Sequence, residues 1–111
     1  MSQLIRLTNN ILSTCRRRPD VITSHMNIFI KNNSLRHPRL GLKVFKSAIK
    51  LAVIRNMVRR RIIAEFRERT DIKPIDIIIV ISKKIYSEKN EISDILMQEW
   101  KQSLKSLKKF F

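Results

Sequence analysis

The sequence holds a single glycine, Gly41, and a single cysteine, Cys15. One glycine leaves no glycine-rich loop to cradle the phosphates of a nucleotide. One cysteine permits no intrachain disulfide and no zinc knuckle built from thiols, and it favours a reducing, cytoplasmic setting. Acidic residues are also scarce. Nine Asp plus Glu stand against 24 Lys plus Arg, a formal net charge of +15. Those few carboxylates are scattered: Asp20, Asp71, Asp76 and Asp94 fall in different segments, while Glu65 and Glu68 resemble surface charges. Two-metal phosphoryl transfer needs carboxylates in a cluster. His25 and His37 have no cysteine beside them and no general-base arrangement. The expectation is therefore no catalytic residue and no metal site in the protein. The longest aliphatic run, residues 77–81, is far too short to span a bilayer, and the first residues lack the apolar stretch of a signal peptide. A protein that does not enter a membrane is expected.

What remains is a short chain with a core. At 111 residues it has the length of one domain, residues 1–111, and its 43% hydrophobic content is ordinary for a globular protein. A charge of +15 repels itself in a compact state and suggests a partner that neutralises it. The patterning predicts a short helix over residues 8–17, ended by Pro19, and an extended segment over 21–31. In that segment Met26, Ile28 and Ile30 alternate with Asn27 and Phe29. A turn at 32–34 and a strand at 39–45 follow, then a long helix over 49–70. Residues 75–82 are so uniformly aliphatic that both faces of that strand must be covered. A last helix over 91–109 carries Ile92, Leu96, Trp100, Ser103 and Leu107 along one stripe. The order α-β-β-α-β-α is that of a single-domain α+β sandwich, with three helices against a small, mostly antiparallel sheet.

The long helix carries the chemistry. Projected at the helical period, Val53, Ile54, Met57, Val58 and Ala64 form a face for the sheet, and Arg55, Asn56, Arg59, Arg60 and Arg67 point away. A solvated face normally mixes both charge signs. This one has a single sign, no acidic i,i+4 partner, and an asparagine able to donate and accept. Guanidinium groups match phosphate oxygens, so nucleic-acid binding is favoured over a basic amphipathic helix aimed at membranes or proteins. Ile63, amid the basic side, and Arg61, toward the apolar side, do not fit the partition.

With these residues in view, the chain resembles the protein subunit of bacterial ribonuclease P. The resemblance runs through Pro38-Arg39-Leu40-Gly41-Leu42-Lys43-Val44-Phe45-Lys46 and then Ala52-Val53-Ile54-Arg55-Asn56-Met57-Val58-Arg59-Arg60. It implies a ribonucleoprotein that removes the 5′ leader of precursor tRNA. Magnesium-dependent chemistry would reside on a catalytic RNA subunit, and the protein itself would bind no cofactor. It further implies one protein per RNA and a left-handed βαβ crossover through the long helix. Arg39, Lys46, Arg55, Asn56, Arg59, Arg60 and Arg67 would contact RNA. A leader cleft would lie between the first helix and the sheet, near Ile11, Cys15, Met26 and Ile28. The sequence departs from the family pattern at five positions. Ser47 replaces a second lysine, Arg61 and Ile63 exchange residue types, and neither Ile11 nor Cys15 is aromatic. The alternative is a non-catalytic basic RNA-binding protein, such as a small ribosomal protein.

Overall fold

A computed structural model describes residues 3–5 and 14–108. The elements are β1 (Gln3–Leu4), β2 (Val21–Ile22), β3 (Asn27–Asn32), β4 (Arg39–Val44), α1 (Ala52–Glu68), β5 (Ile75–Ile81) and α2 (Lys89–Leu107). The described residues thus contain two α-helices where the sequence predicted three. Of the expected first helix, residues 8–13 lie outside the described residues, and the remainder holds a single 3-10 turn at Thr14–Arg16. Pro19, whose ring fixes its own backbone, is followed directly by the extended segment.

All five strands form one sheet in the order β1-β4-β5-β3-β2. It is evenly mixed, which corrects the mostly antiparallel expectation. β4 is parallel to both β1 and β5, while β3 is antiparallel to β5 and β2 to β3. The reason is the connection: β4 and β5 are joined through α1, and such a helical crossover returns the chain in the same direction. β5 lies at the centre of the sheet. Its β-branched run Ile-Asp-Ile-Ile-Ile-Val-Ile suits a strand with covered faces, and Ile75, Ile77, Ile78, Ile79 and Ile81 are all buried.

Register divides the sheet into two faces. Leu40↔Ile77, Leu42↔Ile79 and Val44↔Ile81 share one face with Ile28, which pairs with Ile79. Both helices pack there. α1 contributes Ile54, Val58, Ile62 and Phe66, and α2 contributes Ile92, Leu96, Trp100, Leu104 and Leu107. Full burial of one such side chain stabilises by about 1.5–3 kcal/mol, so this layer holds the fold together. The opposite face carries the rows Phe29↔Ile78↔Gly41 and Lys31↔Asp76↔Arg39.

α1 starts without a side-chain cap, Leu51 being extended. Instead, Arg55 folds back and donates from Nη1 to the carbonyls of Ile49 and Lys50, each at 2.9 Å. Residues 49–51, expected as the start of the helix, precede it, and the chain turns at residues 46–48, where Ala48 and Ile49 donate to the Phe45 carbonyl. The two helices are tied to each other by Glu65, which accepts from the indole N–H of buried Trp100 and from Arg69. α2 is tied to the β2–β3 hairpin by buried Glu99, whose carboxylate meets the His25 backbone N–H at 2.8 Å and its ring at 2.6 Å.

Candidate nucleic-acid interface

Where β4 leaves the sheet, the turn over residues 45–51 brings the strand end against the first turns of α1. The junction is an open groove of about 730 Å³ lined by Lys43, Val44, Phe45, Lys46, Ser47, Arg55, Asn56 and Arg59. Four of these eight are cationic and none is acidic. The first turn of α1 contains no acid either, so the positive end of its helix dipole adds to the same potential. Arg55 and Asn56 both come beside Arg59 because residues four and three apart are neighbours on a helix surface. Lys46 reaches them only through the β4–α1 turn, which is a tertiary fact.

The cations differ in how far they are committed elsewhere. Arg59, Lys46 and the Asn56 amide have no partner among the described residues, so their donors are available. Arg55 spends Nη1 on the turn carbonyls. Arg60 is exposed beside the groove, its Nε 3.4 Å from the Asn56 carbonyl, and Arg67 is exposed in the last turn of α1, outside the groove lining. Arg39 lies elsewhere, on the far face of the sheet. Its Nε and Nη2 grip both oxygens of Asp76 at 2.8 and 2.6 Å, and Asn33 donates to the same carboxylate at 2.9 Å. Burial pushes the Asp76 carboxyl upward. Its hydrogen bonds from Arg39 and Asn33 and the charges of Arg39 and Lys31 outweigh that, holding it below the ordinary carboxylate range.

Two of the residues expected in a leader cleft do not lie on an open face. Met26 and Ile28 are 1% and 0% exposed, in the core between sheet and helices. Alternation decides this: the residues paired into the helix-facing layer cannot also face outward. Cys15 is half-buried in the 3-10 turn, and Ile11 lies outside the described residues. The outward face instead carries Phe29, which floors a hollow of about 420 Å³ with Arg17, Ile30, Lys31, Asn32 and Ile78. The Arg17 guanidinium stands 5.6 Å from the Phe29 ring centroid and is fixed by Asp20 and the Ile30 carbonyl, each at 2.8 Å. Sequence reasoning missed Lys43 and Phe45 in the groove, whereas Arg17, with Arg16 and Arg18, reads in the sequence as either a solvated helix end or an additional RNA contact. The two-residue spacing of Lys43 and Phe45 would have placed them on one side of an extended chain.

The two positions that broke the helix partition are both occupied. Arg61 reaches α2, donating to Ser93 Oγ at 2.8 Å and pairing with Asp94. Ile63 is half-buried against the core. Among the described residues no group of three or more His, Cys, Asp or Glu could hold a metal ion, and no helix is long and apolar enough to cross a membrane.

A model of the Ribonuclease P family matches residues 2–109. The chain belongs to the ribonuclease P protein family. The ribonuclease P protein component of Idiomarina loihiensis is 32% identical over 112 residues, covering 97% of this chain and 90% of that protein. The component from Aliivibrio fischeri is 44% identical over a shorter stretch of 64 residues, 58% of this chain and 55% of that one. Among solved structures, the Staphylococcus aureus ribonuclease P protein superposes with a TM-score of 0.67 at 23% identity, covering 96% of this chain and 93% of that one, a likeness of fold. Membership in the ribonuclease P family places the chain with the protein components of a tRNA-processing endoribonuclease complex that contains RNA. It sets aside the small ribosomal protein.

Proposed function

We propose that the groove at the β4–α1 junction docks this protein on the catalytic RNA subunit of ribonuclease P, while the outward sheet face around Arg17 and Phe29 receives the 5′ leader of precursor tRNA. The observation that supports this reading is the groove itself, with four cations, a free amide and no acid converging from two elements. Lys46, Arg55 and Arg59 bind phosphate oxygens, Arg55 from a position already fixed by the turn carbonyls. Arg60 and Arg67 extend the positive track along α1. The chemistry stays with the RNA subunit and its magnesium ions. The protein contributes charge neutralisation and substrate placement, one copy per RNA, in the cytoplasm.

Reconstitution tests the reading. The protein added to the RNA subunit at low magnesium should restore leader removal from precursor tRNA, because protein cations replace part of the screening that magnesium supplies. No stimulation would overturn it.

A further inference from the structure

Most aromatic residues that the structure describes are buried: Phe29, Phe66 and Trp100 are at most 6% exposed. The exceptions are Tyr86, which stands outside the groove, and Phe45, which lies in its wall. Phe45 is 38% exposed and takes no part in the core, so packing does not account for an aromatic there. Its backbone, by contrast, is held on both sides. The N–H donates to the Ile81 carbonyl at 3.0 Å, and its own carbonyl accepts from Ala48 and Ile49 at 3.0 and 3.2 Å. The ring is therefore presented from a fixed pedestal, with the Lys43 ammonium 5.3 Å from its centroid.

A fully paired helix offers phosphates and base edges, but its base faces are already stacked. An aromatic ring set among cations suits a base that is out of the stack, because the ring takes the base and the cations take the flanking phosphates. A volume of about 730 Å³ lies within the range of roughly 300–1,000 Å³ typical of ligand-sized sites. Asn56 lines the same groove with its amide unengaged, one donor and one acceptor for the edge of an extruded base.

We propose that the β4–α1 groove takes an unpaired nucleotide of the RNA partner, its base stacked on Phe45 and its flanking phosphates on Lys46, Arg55 and Arg59. This rests on the groove being the RNA-docking site and specifies what it docks. Lys43 occupies the ring only through an exposed cation–π contact, weaker than a stacked base. The arriving base displaces it, and the freed ammonium serves a phosphate.

The test compares two RNA hairpins, one carrying a single bulged 2-aminopurine and the other fully paired, each titrated with the full chain. The bulged hairpin should bind more tightly, with quenching of its fluorescence. Phe45→Ala should weaken that complex by about 5- to 150-fold without changing its salt dependence. Phe45→Tyr should restore affinity and quenching, which separates stacking from a folding defect. Equal affinity of the parent protein for both hairpins, or full affinity of Phe45→Ala for the bulged one, would overturn the proposal while leaving a salt-dependent backbone contact intact. Loss of salt dependence for both hairpins would instead overturn the docking site, and the nucleotide with it.

Discussion

Arginines that look alike in the sequence do different work in the fold. Arg39 closes a bidentate pair on a carboxylate that is 6% exposed, while Arg59 makes no intramolecular hydrogen bond or ion pair among the described residues. Removing either should therefore be read out in different experiments. Asp76→Asn keeps the volume but loses the charge, leaving Arg39 poorly matched, and should cost about 1–3 kcal/mol at neutral pH by denaturant titration. The pH dependence follows from the direction of the shift. The folded-state pKa of Asp76 lies below its unfolded value, so its stabilising contribution is complete above the unfolded value of about 3.9 and is lost as pH falls through the folded one. The melting temperature should drop on acidification below about pH 4, and Asp76→Asn should show a shallower drop. An identical acid profile in the two proteins would contradict this assignment. Arg59→Ala should leave the melting temperature in place, since no described residue bonds to its side chain, and should flatten the salt slope of RNA binding by about one unit.

At the scale of the element, α1 is where sequence and structure differ most instructively. The helical projection put Val53, Met57 and Ala64 against the sheet, yet all three are exposed, Val53 at 69%. The buried stripe is Ile54, Val58, Ile62 and Phe66, a strict i,i+4 row. A wheel ranks faces by hydrophobicity alone. It does not know that α2 lies along a second side, where polar residues of α1 find partners. That neighbour accounts for Arg61, held by Ser93 and Asp94, and for Glu65 beneath Trp100. The Arg61–Asp94 pair is open to water on both sides, with side chains 41% and 66% exposed. A double-mutant cycle should therefore give a coupling no larger than about 1 kcal/mol, and Arg61→Ala should leave the RNA salt slope unchanged. Ile63→Arg should not be a free gain of charge, because Ile63 is half-buried against the core. A loss of about 0.5–1.5 kcal/mol in stability is expected, and an unfolding curve that matches the parent would refute it. What the sequence made legible was whatever one segment determines alone: the covered strand, the stripe of α2, the arginine-asparagine spacing on α1. Parallel pairing, the two-residue strand β1 and the meeting of Lys46 and Phe45 with Arg59 depend on contacts distant in the chain, which period-two and period-3.6 patterns do not encode.

At the scale of the whole molecule, a net charge of +15 on 111 residues acts on folding and on binding with opposite signs. Among the described residues, four of the nine acids pair with Arg17, Arg39, Arg61 and Arg69, so the surplus cations repel one another across the surface. Added salt shortens that repulsion, the screening length falling to about 10 Å at 0.1 M. The free protein should therefore gain melting temperature as salt rises from about 50 to 200 mM. RNA affinity should fall over the same range, by roughly 10³–10⁵ if 6–10 phosphates are neutralised. RNA in turn stabilises the fold by mass action, by about 2.7 kcal/mol when its concentration is 100 times the dissociation constant. That increment shrinks as salt weakens the complex. Melting curves recorded with and without RNA should therefore converge at high salt, the free protein rising and the complex falling. A free protein that melts earlier as salt rises would mean that its ion pairs, and not its surplus charge, govern its stability, and the converging pair of curves would not appear.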